Sequence, residues 1–495
     1  MFKKILVANR GEIARRIMST CREMGIATVA VYSDADSRAA HVLSADEAVL
    51  IGGPEPSASY LNMDAIIDAA RQTGSDAIHP GYGFLSENAD FARRCEQESI
   101  TFIGPPSQVI QSLGDKITAR TIMEKGGVPI APGMTRPCRD LDELATEAEK
   151  IGYPILIKAS AGGGGKGIRV VRQPPDLAEA FASAVREAES AFGDGAVYLE
   201  KYFETVRHVE IQILADRFGH VVHLLERDCS IQRRHQKIIE ESPSTALTPS
   251  LRTLMGESAI AAARAAGYVN AGTVEFLLTP DLSFYFLEVN ARLQVEHPVT
   301  EMITGLDLVR HQIDIAAGRK LELKQEDIAG QGHAIECRIY AEDPENDFFP
   351  SPGTLEYIRE PSGPGIRNDC GVYSGVDVPV YYDPIISKLI VHDQTRDQAI
   401  ERMVKALKDY VILGVKTPIP FMIDVLESEA FKGGEIFTHF IRTHFPDWKP
   451  GEKNRDLALI AWAMNELTEK PRTHQNTGAN PIPEPWETLG SWRLA

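Results

Sequence analysis

The sequence lacks the features of several familiar protein classes. Its six cysteines are scattered and include no C-x-x-C pair, which favours a cytosolic protein with free thiols. No apolar run approaches the length that spans a bilayer. The N-terminal stretch "MFKKILVANRGEIARR" has neither the apolar segment nor the cleavage site of a signal peptide. We therefore expect a cytoplasmic protein with no membrane association.

Basic residues are also fewer than acidic residues. The net charge is −18, which argues against a nucleic-acid backbone as the main ligand. The apolar fraction of 43% and the charged fraction of 25% are ordinary for a soluble globular protein. A chain of 495 residues has room for two to four domains.

The first hundred residues alternate between two hydrophobic periods. Apolar strands ("KKILVAN", "ATVAVYS", "AIHP", "TFIG") alternate with segments of helical spacing ("RGEIARRIMSTCREMG", "MDAIIDAARQTG", "ADFARRCEQES"). This order predicts a parallel sheet covered on both faces, in a domain that ends near residue 114. The loops "ANRGE" and "HPGYGFLSEN" follow strands, where ligands often bind. An equally open interpretation is that these loops only turn the chain.

The segment "YPILIKASAGGGGKGIRVVR" carries the most distinctive loop. It formally contains G-x-G-x-x-G at Gly162, Gly164 and Gly167, but the β-branched "IRVVR" that follows is not a helix. A P-loop is also excluded, because Gly167 stands where Ser or Thr is required. We predict a strand–loop–strand flap whose glycine N–H groups close on an anion, with Lys158 and Lys166 on its flanks. The alternative is a disordered hairpin tip.

Two further segments indicate nucleotide or anion contacts. In "YLEKY", the backbone beside Glu200 and Lys201 is suited to pair with an adenine edge. The segment "ERDCSIQRRHQKIIEE" concentrates positive charge between apolar strands. We interpret it as an anion site, with a solvated run of surface charge as the alternative. Its basic residues are Arg227, Arg233, Arg234, His235 and Lys237.

A β-hairpin is predicted in "AGTVEFLLTPDLSFYFLEVNARLQVEH", with its turn at "TPDLS". Glu275 on the first strand and Glu288 on the second face each other in this arrangement. Together with the Asn290 amide they form a hard, oxygen-rich site, which suits Mg²⁺ or Mn²⁺ carrying nucleotide phosphates and does not suit zinc.

The second strand of this hairpin is expected to continue through "NARLQVEH". Alternation then places one polar face at Glu288, Asn290, Arg292, Gln294 and Glu296. The Arg292 guanidinium suits a small planar anion, and Glu296 on the same face is placed to accept a proton. The alternative is the polar face of an ordinary edge strand.

Taken together, these motifs resemble those of biotin carboxylase, in the ATP-grasp superfamily. The resemblance rests on "KASAGGGGKG", "EKY", "RHVEIQ", "ERDCSIQRRHQKIIEE", "EFL", "EVNARLQVEHPVTE" and "ECRIYAEDP", and runs from about residue 2 to about 445. One departure is Lys166, where many relatives carry arginine, and the charge is kept.

The resemblance implies an α/β fold in three domains. These are a Rossmann-like N-terminal α/β domain (1–114), an ATP-grasp domain (115–330) with a mobile flap at about 130–203, and a β-rich, barrel-like C-terminal domain (331–446). The residues at 447–495 extend beyond that pattern.

The resemblance also implies site residues. Those for ATP are Lys116, Lys158, Gly163, Gly164, Gly165, Glu200, Lys201, His208, Gln232, His235, Glu275 and Glu288. Those for two Mg²⁺ or Mn²⁺ ions are Glu275, Glu288 and Asn290. Those for bicarbonate are Lys237, Arg292, Gln294 and the Val295 backbone, with Glu296 as the base. Arg338 is implied to face the biotin ureido oxygen, and the catalytic set is Lys237, Arg292, Glu296 and Arg338. Considered alone, Arg338 also fits a surface salt bridge to Glu342 or Asp343.

The implied reaction is the ATP- and bicarbonate-dependent carboxylation of biotin on a separate carrier protein, through carboxyphosphate. It is the first half-reaction of an acetyl-CoA or acyl-CoA carboxylase, so a biotin carboxyl carrier protein, a carboxyltransferase subunit and a homodimer are expected. The alternatives are a subunit of a two-subunit pyruvate (2-oxoacid) carboxylase and a non-catalytic, nucleotide-sensing assembly subunit. The sequence contains no Met-Lys-Met biotin-attachment motif.

The C-terminal third of the chain is predicted to consist mainly of strands, with one helix. "HAIECRIYAED", "GTLEYIRE" and "YYDPIISKLIVHD" read as strands, and "TRDQAIERMVKALKDYVI" reads as a helix with a capping box at Thr395 and Gln398. Its apolar stripe consists of Ile400, Met403, Val404 and Leu407.

The extension begins with a second helical pattern. "NRDLALIAWAMNELTEK" predicts a helix that packs on a neighbour through Leu457, Ile460, Ala461 and Met464. The rest is rich in Pro and Gly and carries Trp486 and Trp492, two of the four tryptophans in the chain. Exposed tryptophans often mark a contact, and a similar "PW…GSWR" stretch occurs in acyl-CoA carboxylase α-subunits. We expect a docking segment, with a disordered end as the alternative.

Overall fold

A computed structural model describes residues 1–160, 168–234, 236–451 and 455–468. The chain divides into two compact units, Met1–Lys449 and Pro450–Ala495. Among the described residues, no helix is both long enough and apolar enough to cross a membrane.

The N-terminal region is a parallel sheet with helices between its strands. Its elements are β1 (Lys4–Val7), α1 (Gly11–Glu23), β2 (Ala27–Ser33), α2 (Ala40–Ser44), β3 (Glu47–Gly52), α3 (Met63–Thr73), β4 (Ala77–His79), α4 (Ala89–Gln97), β5 (Thr101–Phe102) and α5 (Ser107–Gly114). The strand order is β3-β2-β1-β4-β5, with every pair parallel. The predicted α/β architecture is confirmed.

The loops after β1 and β4 lie side by side at the carboxyl edge of this sheet. Asn9 joins them, because its Nδ2 donates to the carbonyl oxygens of Pro80 (2.8 Å) and Tyr82 (2.7 Å). These are the loops "ANRGE" and "HPGYGFLSEN", so both reach the same edge of the molecule.

A small antiparallel sheet lies within residues 130–203, the segment predicted as a flap and called the flap below. After α6 (Lys116–Lys125), its elements are α7 (Leu141–Ile151), β6 (Ile155–Ala159), β7 (Arg169–Val171), α8 (Leu177–Phe192) and β8 (Val197–Lys201). The order is β7-β6-β8, so the two predicted strands on either side of the glycine run form, and they pair antiparallel. The flap has its own core, which includes Leu144, Ile155, Ile157, Val197 and Leu199.

A large antiparallel sheet holds the remaining predicted motifs. Its surrounding elements are β9 (Arg207–Ala215), β10 (Val221–Arg233), β11 (Gln236–Ser242), α9 (Pro249–Ala265), β12 (Asn270–Leu278), β13 (Phe284–Asn290), α10 (His297–Thr304), α11 (Leu308–Ala316) and β14 (His333–Tyr340). The strands β8 and β9 are consecutive in the chain but belong to different sheets.

The C-terminal region extends the same sheet. Its elements are β15 (Glu342–Asp343), β16 (Phe349–Pro350), β17 (Gly353–Thr354), β18 (Tyr357–Arg359), β19 (Ile366–Cys370), β20 (Asp377–Val378), β21 (Ile385–Asp393), α12 (Arg396–Asp409), β22 (Val411–Leu413), α13 (Ile419–Glu427), α14 (Glu429–Lys432) and α15 (Phe440–His444). Among the described residues the full order is β13-β12-β9-β10-β11-β14-β21-β19. Because β14 pairs with β11, one sheet connects residues on both sides of position 330.

One sequence prediction about the site is wrong. The hairpin turns at "TPDLS" as expected, but β13 ends at Asn290 and does not continue through Glu296. Residues 291–296 form an irregular turn, and α10 begins at His297 with Pro298 in its first turn. Proline suits the first turn of a helix, so Pro298 favours the start of α10 at this point.

The helix α12 matches its prediction closely. Thr395 caps it by accepting a hydrogen bond from the backbone N–H of Gln398, at 3.4 Å. The predicted stripe of Ile400, Met403, Val404 and Leu407 is buried in the core beside β14 and β21.

The second compact unit contains α16 (Arg455–Thr468) in its described part, which confirms the predicted helix. The large exposed apolar side chains on it include Leu457, Leu459, Ile460 and Trp462. Trp486 and Trp492 lie outside the described residues, so their predicted contact role stays a prediction.

Candidate active site

Two glutamates define the floor of the site. Glu275 on β12 lies directly opposite Glu288 on β13 in the antiparallel register, as the sequence predicted. Side chains at directly opposed positions project from the same face of a sheet. Glu275 is buried, whereas Glu288 is exposed, and among the described residues it accepts no hydrogen bond.

The Lys237 ammonium joins three carboxylates. Its Nζ lies 2.6 Å from Oε2 of Glu210, 2.8 Å from Oε1 of Glu275 and 2.6 Å from Oε1 of Glu296. These residues come from β9, β12 and the turn before α10, so the fold brings them together from distant parts of the chain. A lysine with three donors satisfies one oxygen of each carboxylate.

This arrangement separates the pKa values of the carboxyl groups. Burial alone would raise the pKa of Glu296, but Lys237 and Arg338 lower it well below the ordinary value. Burial would likewise raise the pKa of Glu275, but Lys237 and His208 lower it. Although part of the Glu288 side chain is exposed, its pKa is raised, because the surrounding cleft partly desolvates the carboxyl group and Glu275 lies beside it. Glu296 is therefore an ionised carboxylate in this arrangement.

A ring of amides and one guanidinium surrounds Glu275. Asn290 Nδ2 and Gln294 Nε2 both donate to Oε1 of Glu275, at 2.9 Å and 3.0 Å. Arg292 donates to Asn290 Oδ1 at 2.9 Å and to Gln294 Oε1 at 2.8 Å. The predicted polar residues thus converge through the turn after β13, although they do not alternate along a strand.

Arg338 is buried and links two glutamates. Its Nε donates to Oε1 of Glu240 at 2.5 Å, and a terminal nitrogen donates to Oε2 of Glu296 at 2.8 Å. The alternative of a surface salt bridge is wrong, because Glu342 pairs with Arg233 at 3.2 Å and Asp343 pairs with Lys416 at 2.6 Å.

Lys158 and Glu200 form an ion pair on the flap. The Nζ of Lys158 contacts Oε2 of Glu200, and Arg120 donates to Oε1 of the same carboxylate at 3.0 Å. Lys116, at the start of α6, has its pKa lowered by burial and by the nearby Lys158 charge. Several positive charges therefore line one wall of the cleft, as a polyphosphate requires.

The other predicted nucleotide residues have varied partners. Lys201 Nζ donates to the carbonyl oxygens of Gly152 (2.8 Å) and Tyr153 (3.0 Å), so its side chain braces the flap. His208 Nε2 lies 2.9 Å from Glu275 Oε2, and although burial alone would lower the pKa of His208, Glu275 raises it. Gln232 is buried and donates to the Cys229 carbonyl at 3.4 Å.

Some predicted residues fall outside the described part of the chain. They are Gly162, Gly163, Gly164, Gly165, Lys166, Gly167 and His235. Val295, whose backbone was predicted to hold bicarbonate, lies in the turn between Gln294 and Glu296, and its carbonyl accepts a hydrogen bond from Lys388 at 2.9 Å.

The predicted basic cluster is divided by the fold. Of its described members, Lys237 reaches the carboxylates, whereas Arg233 packs over Phe348 and Arg234 pairs with Asp347 on the surface. Arg227 is fully buried and donates to Glu210 at 2.5 Å and to the Thr300 hydroxyl at 2.9 Å. A continuous anion patch along this segment is therefore not formed by the described residues.

Several residues that complete the site were not predicted from the sequence. These are Glu87, Arg120, Glu210, Glu240 and Lys388. Glu87 is an example. Its carboxylate accepts hydrogen bonds from the Ala291 backbone N–H and from Arg292 Nε, both at 2.8 Å, although more than two hundred residues separate it from them in the sequence. Its only signal in the sequence was its place in a loop at the carboxyl end of a strand.

The three regions of the chain match three family models. Residues 1–110 match the biotin carboxylase N-terminal domain. Residues 115–324 match the ATP-binding domain of the carbamoyl-phosphate synthase L chain. Residues 336–443 match the biotin carboxylase C-terminal domain.

Similar proteins agree with these matches. Biotin carboxylase 1 of Bacillus subtilis is 53% identical over 445 residues, which are 90% of this chain and 99% of that protein. The mitochondrial methylcrotonoyl-CoA carboxylase subunit alpha of Dictyostelium discoideum is 49% identical over 492 residues, which are 99% of this chain and 70% of that protein.

A solved structure agrees as well. It is the biotin carboxylase domain dimer of the 2-oxoglutarate carboxylase of Hydrogenobacter thermophilus, in complex with MgADP, ADP and bicarbonate. Its TM-score is 0.88 at 49% identity, covering 91% of this chain and 100% of that one. The fold and the carboxylate-rich cleft are those of an ATP-grasp ligase, and the chain belongs to the biotin carboxylase family.

Proposed function

We propose that this protein carboxylates biotin on a separate carrier protein, with ATP and bicarbonate as substrates, through carboxyphosphate. The observation that carries the proposal is Glu296, an ionised carboxylate held by Lys237 at 2.6 Å and by Arg338 at 2.8 Å. A base of this kind deprotonates bicarbonate, which is a weak nucleophile until then. In this scheme Arg292, Gln294 and the Val295 backbone hold the anion.

The residues present fit a divalent cation. Glu275 and Glu288 face each other with like charge, and a cation between them would offset both the desolvation and the repulsion that raise the pKa of Glu288. Asn290 supplies an amide oxygen once Arg292 releases it. We propose that these three residues hold the Mg²⁺ or Mn²⁺ ions, which when bound neutralise the phosphate oxygens of ATP.

The nucleotide lies, in this proposal, between the flap and the large sheet. Lys116 and Lys158 contact phosphate oxygens, while Glu200, Lys201, His208, Gln232 and His235 shape the rest of the ATP site. The flap, about 130–203, closes over ATP to exclude water, because carboxyphosphate would otherwise be hydrolysed. Its separate core and its own sheet support movement as a unit.

Arg338 supplies the contact to biotin. Its guanidinium is fixed by Glu240 and Glu296, so it is pre-organised to stabilise negative charge on the ureido oxygen during carboxyl transfer. The phosphate released from carboxyphosphate is basic enough to take the N1′ proton of biotin.

The final acceptor is proposed to be an acyl-CoA, reached through a separate carboxyltransferase. Support comes from the extension, because the alignment with the methylcrotonoyl-CoA subunit covers 99% of this chain, whereas the alignment with Biotin carboxylase 1 covers 90%. Acetyl-CoA remains one candidate among the acyl-CoA acceptors. A 2-oxoacid is the second candidate, favoured by the likeness to the 2-oxoglutarate carboxylase domain.

The extension is proposed to dock the carrier or the carboxyltransferase subunit. The exposed apolar side chains of α16, with Trp462 among them, support a contact role. Ending the chain at Pro450 should preserve carboxylation of free biotin and abolish co-purification with the partner. Full assembly and parental acyl-CoA carboxylation by the truncated chain would exclude this role. A homodimer, proposed by analogy with the domain dimer above, is tested by sedimentation.

Bicarbonate-dependent ADP release in the presence of free biotin tests the proposal directly. The purified chain should release ADP only when ATP, Mg²⁺ and bicarbonate are all present, and biotin should raise the rate. Nucleotide binding without any ADP release would instead support a non-catalytic assembly subunit.

A further inference from the structure

Lys388 is a fully buried lysine in the middle of β21. Lysine is rarely buried completely, because removing an ammonium from water is costly unless it is paired. Its Nζ donates to the carbonyl oxygen of Val295 at 2.9 Å. The nearest carboxylate oxygens are Oε2 of Glu12 at 3.3 Å and Oδ2 of Asp369 at 3.9 Å. The shortest of these contacts is therefore to the active-site turn.

The register of the sheet explains why Lys388 reaches that turn. On β21 it lies directly opposite Arg338 of β14 on one side and Asp369 of β19 on the other. Directly opposed residues share a face, so Arg338 and Lys388 project together. Arg338 binds the Glu296 carboxylate at 2.8 Å, and Lys388 binds the preceding carbonyl. Two neighbouring cations thus hold two consecutive residues of the turn.

The turn has little regular backbone support of its own. It lies between β13 and α10, and its backbone hydrogen bonds into the helix are long, at 3.4 Å from His297 N–H to Gln294 O and 3.3 Å from Val299 N–H to Glu296 O. A Val295 carbonyl held from inside the protein fixes the plane of the peptide bond that joins Val295 to Glu296. That peptide bond leads directly into the residue whose carboxylate Arg338 binds.

We infer that Lys388 is a positioning residue for bicarbonate: its hydrogen bond to the Val295 carbonyl keeps the turn 294–296 in the geometry that holds the anion against Glu296. The inference rests on the proposed function. Lys388 does not touch substrate and acts through the turn. Small displacements of such groups cost up to about a hundredfold in rate.

A purely structural role must be separated from this one, because Lys388 also offsets the buried Glu12 charge. Lys388→Met alone would leave that carboxylate without its cation and could unfold the protein. The double variant Glu12→Gln/Lys388→Met removes both charges together, while Asp369 keeps its pair with Arg367 at 2.7 Å. Lys408→Met, which removes an exposed pair with Glu427, is the matched control.

The experiment compares full-length parent, double variant and control. It measures kcat/KM for bicarbonate, the Kd for ATP without bicarbonate, and the thermal unfolding midpoint. For the double variant we expect kcat/KM for bicarbonate to fall about ten- to a hundredfold, with the Kd for ATP within about twofold of the parent. The control should match the parent in all three.

Parental kcat/KM for bicarbonate in the double variant would overturn the inference, because Lys388 would then only neutralise Glu12. An equal loss of ATP binding would overturn it too, because Lys388 would then support the fold in general. Failure of the proposed function is visible separately, as absence of bicarbonate-dependent ADP release in the parent itself. A crystal structure of the double variant then serves as the readout, and an unmoved turn 294–296 would overturn the inference.

Discussion

Lys237 and Glu296 lie 2.6 Å apart, from Nζ to Oε1, although one is on β11 and the other precedes α10. The same ammonium also contacts Glu210 and Glu275, so it spreads one positive charge over three carboxylates. Bicarbonate entering the site would compete for these contacts. In the proposed function, the Lys237–Glu296 pair brings the anion-binding lysine and the proton-accepting carboxylate together in one place.

Removing the base should separate chemistry from nucleotide binding. We expect Glu296→Ala to lower carboxybiotin formation by about 10²- to 10⁴-fold, because general-base catalysis contributes on that scale. The Kd for ATP should stay close to that of the parent, since Glu296 contacts no phosphate in this scheme. Glu326→Ala, at an exposed position, is the control. Near-normal carboxylation by Glu296→Ala would remove the assigned role.

The flap lysine should act mainly on nucleotide affinity. Lys158→Gln removes a charge-assisted contact worth about 1.5–3 kcal/mol, so the Kd for ATP should rise by at least about tenfold. Lys150→Gln, which loses only an exposed pair with Glu147, provides the comparison. Equilibrium titration with ATP measures both. An unchanged affinity in Lys158→Gln would count against placing this lysine on the nucleotide.

Arg338 should matter for carboxyl transfer and not for ATP binding. Loss of one group that stabilises developing negative charge costs about 10²- to 10³-fold, so Arg338→Gln should lower the rate of free-biotin carboxylation on that scale. The Kd for ATP should change little. Arg319→Gln, an exposed arginine paired with Asp314, is the control. A variant that still carboxylates biotin within a few-fold of the parental rate would contradict this assignment.

Acid should destabilise the N-terminal sheet through His41. Burial lowers the pKa of His41 to about 4, from an ordinary value of 6.5, with Asp36 and Arg10 as the charged neighbours. Because the unfolded chain binds the proton more tightly, stability is lost as the pH falls from about 6.5 to about 4. Between pH 7.5 and pH 5 the loss from this group is about 2 kcal/mol.

The variant His41→Gln should reduce that pH dependence. Unfolding midpoints at pH 7.5 and pH 5 should differ less in His41→Gln than in the parent. Equal differences in the two proteins would mean that His41 does not carry this part of the acid sensitivity. Other titrating groups are present in both proteins, so their contributions to the pH dependence cancel in this comparison. One of them is His79, whose pKa burial lowers to about 3.

Local patterns were enough for most of the fold. The alternation of strands and helices predicted the parallel sheet, and the hairpin at "TPDLS" placed Glu275 opposite Glu288. The β-branched "IRVVR" correctly excluded a helix after the glycine run, and Thr395 correctly marked the start of α12. Each of these features depends on residues close together in the sequence, where hydrophobic period and turn chemistry decide the structure.

Contacts between segments that are distant in the sequence could not be predicted from such local patterns. A two-residue period suits a strand, and "NARLQVEH" shows it, yet the segment forms a turn whose backbone contacts Glu87 and Lys388 from distant parts of the chain. Glu87 and Arg292 are separated by more than two hundred residues, and nothing local links them. Lys388 would be expected on a surface, because lysine in a strand usually faces water.

The most direct test of the central claim is the yield of carboxybiotin per ADP. The purified chain is incubated with ATP, Mg²⁺, labelled bicarbonate and free biotin, and both products are quantified. We expect carboxybiotin and ADP in a ratio near one, with neither formed by Glu296→Ala above background. ADP release that does not require bicarbonate, or that leaves biotin unlabelled, would contradict it.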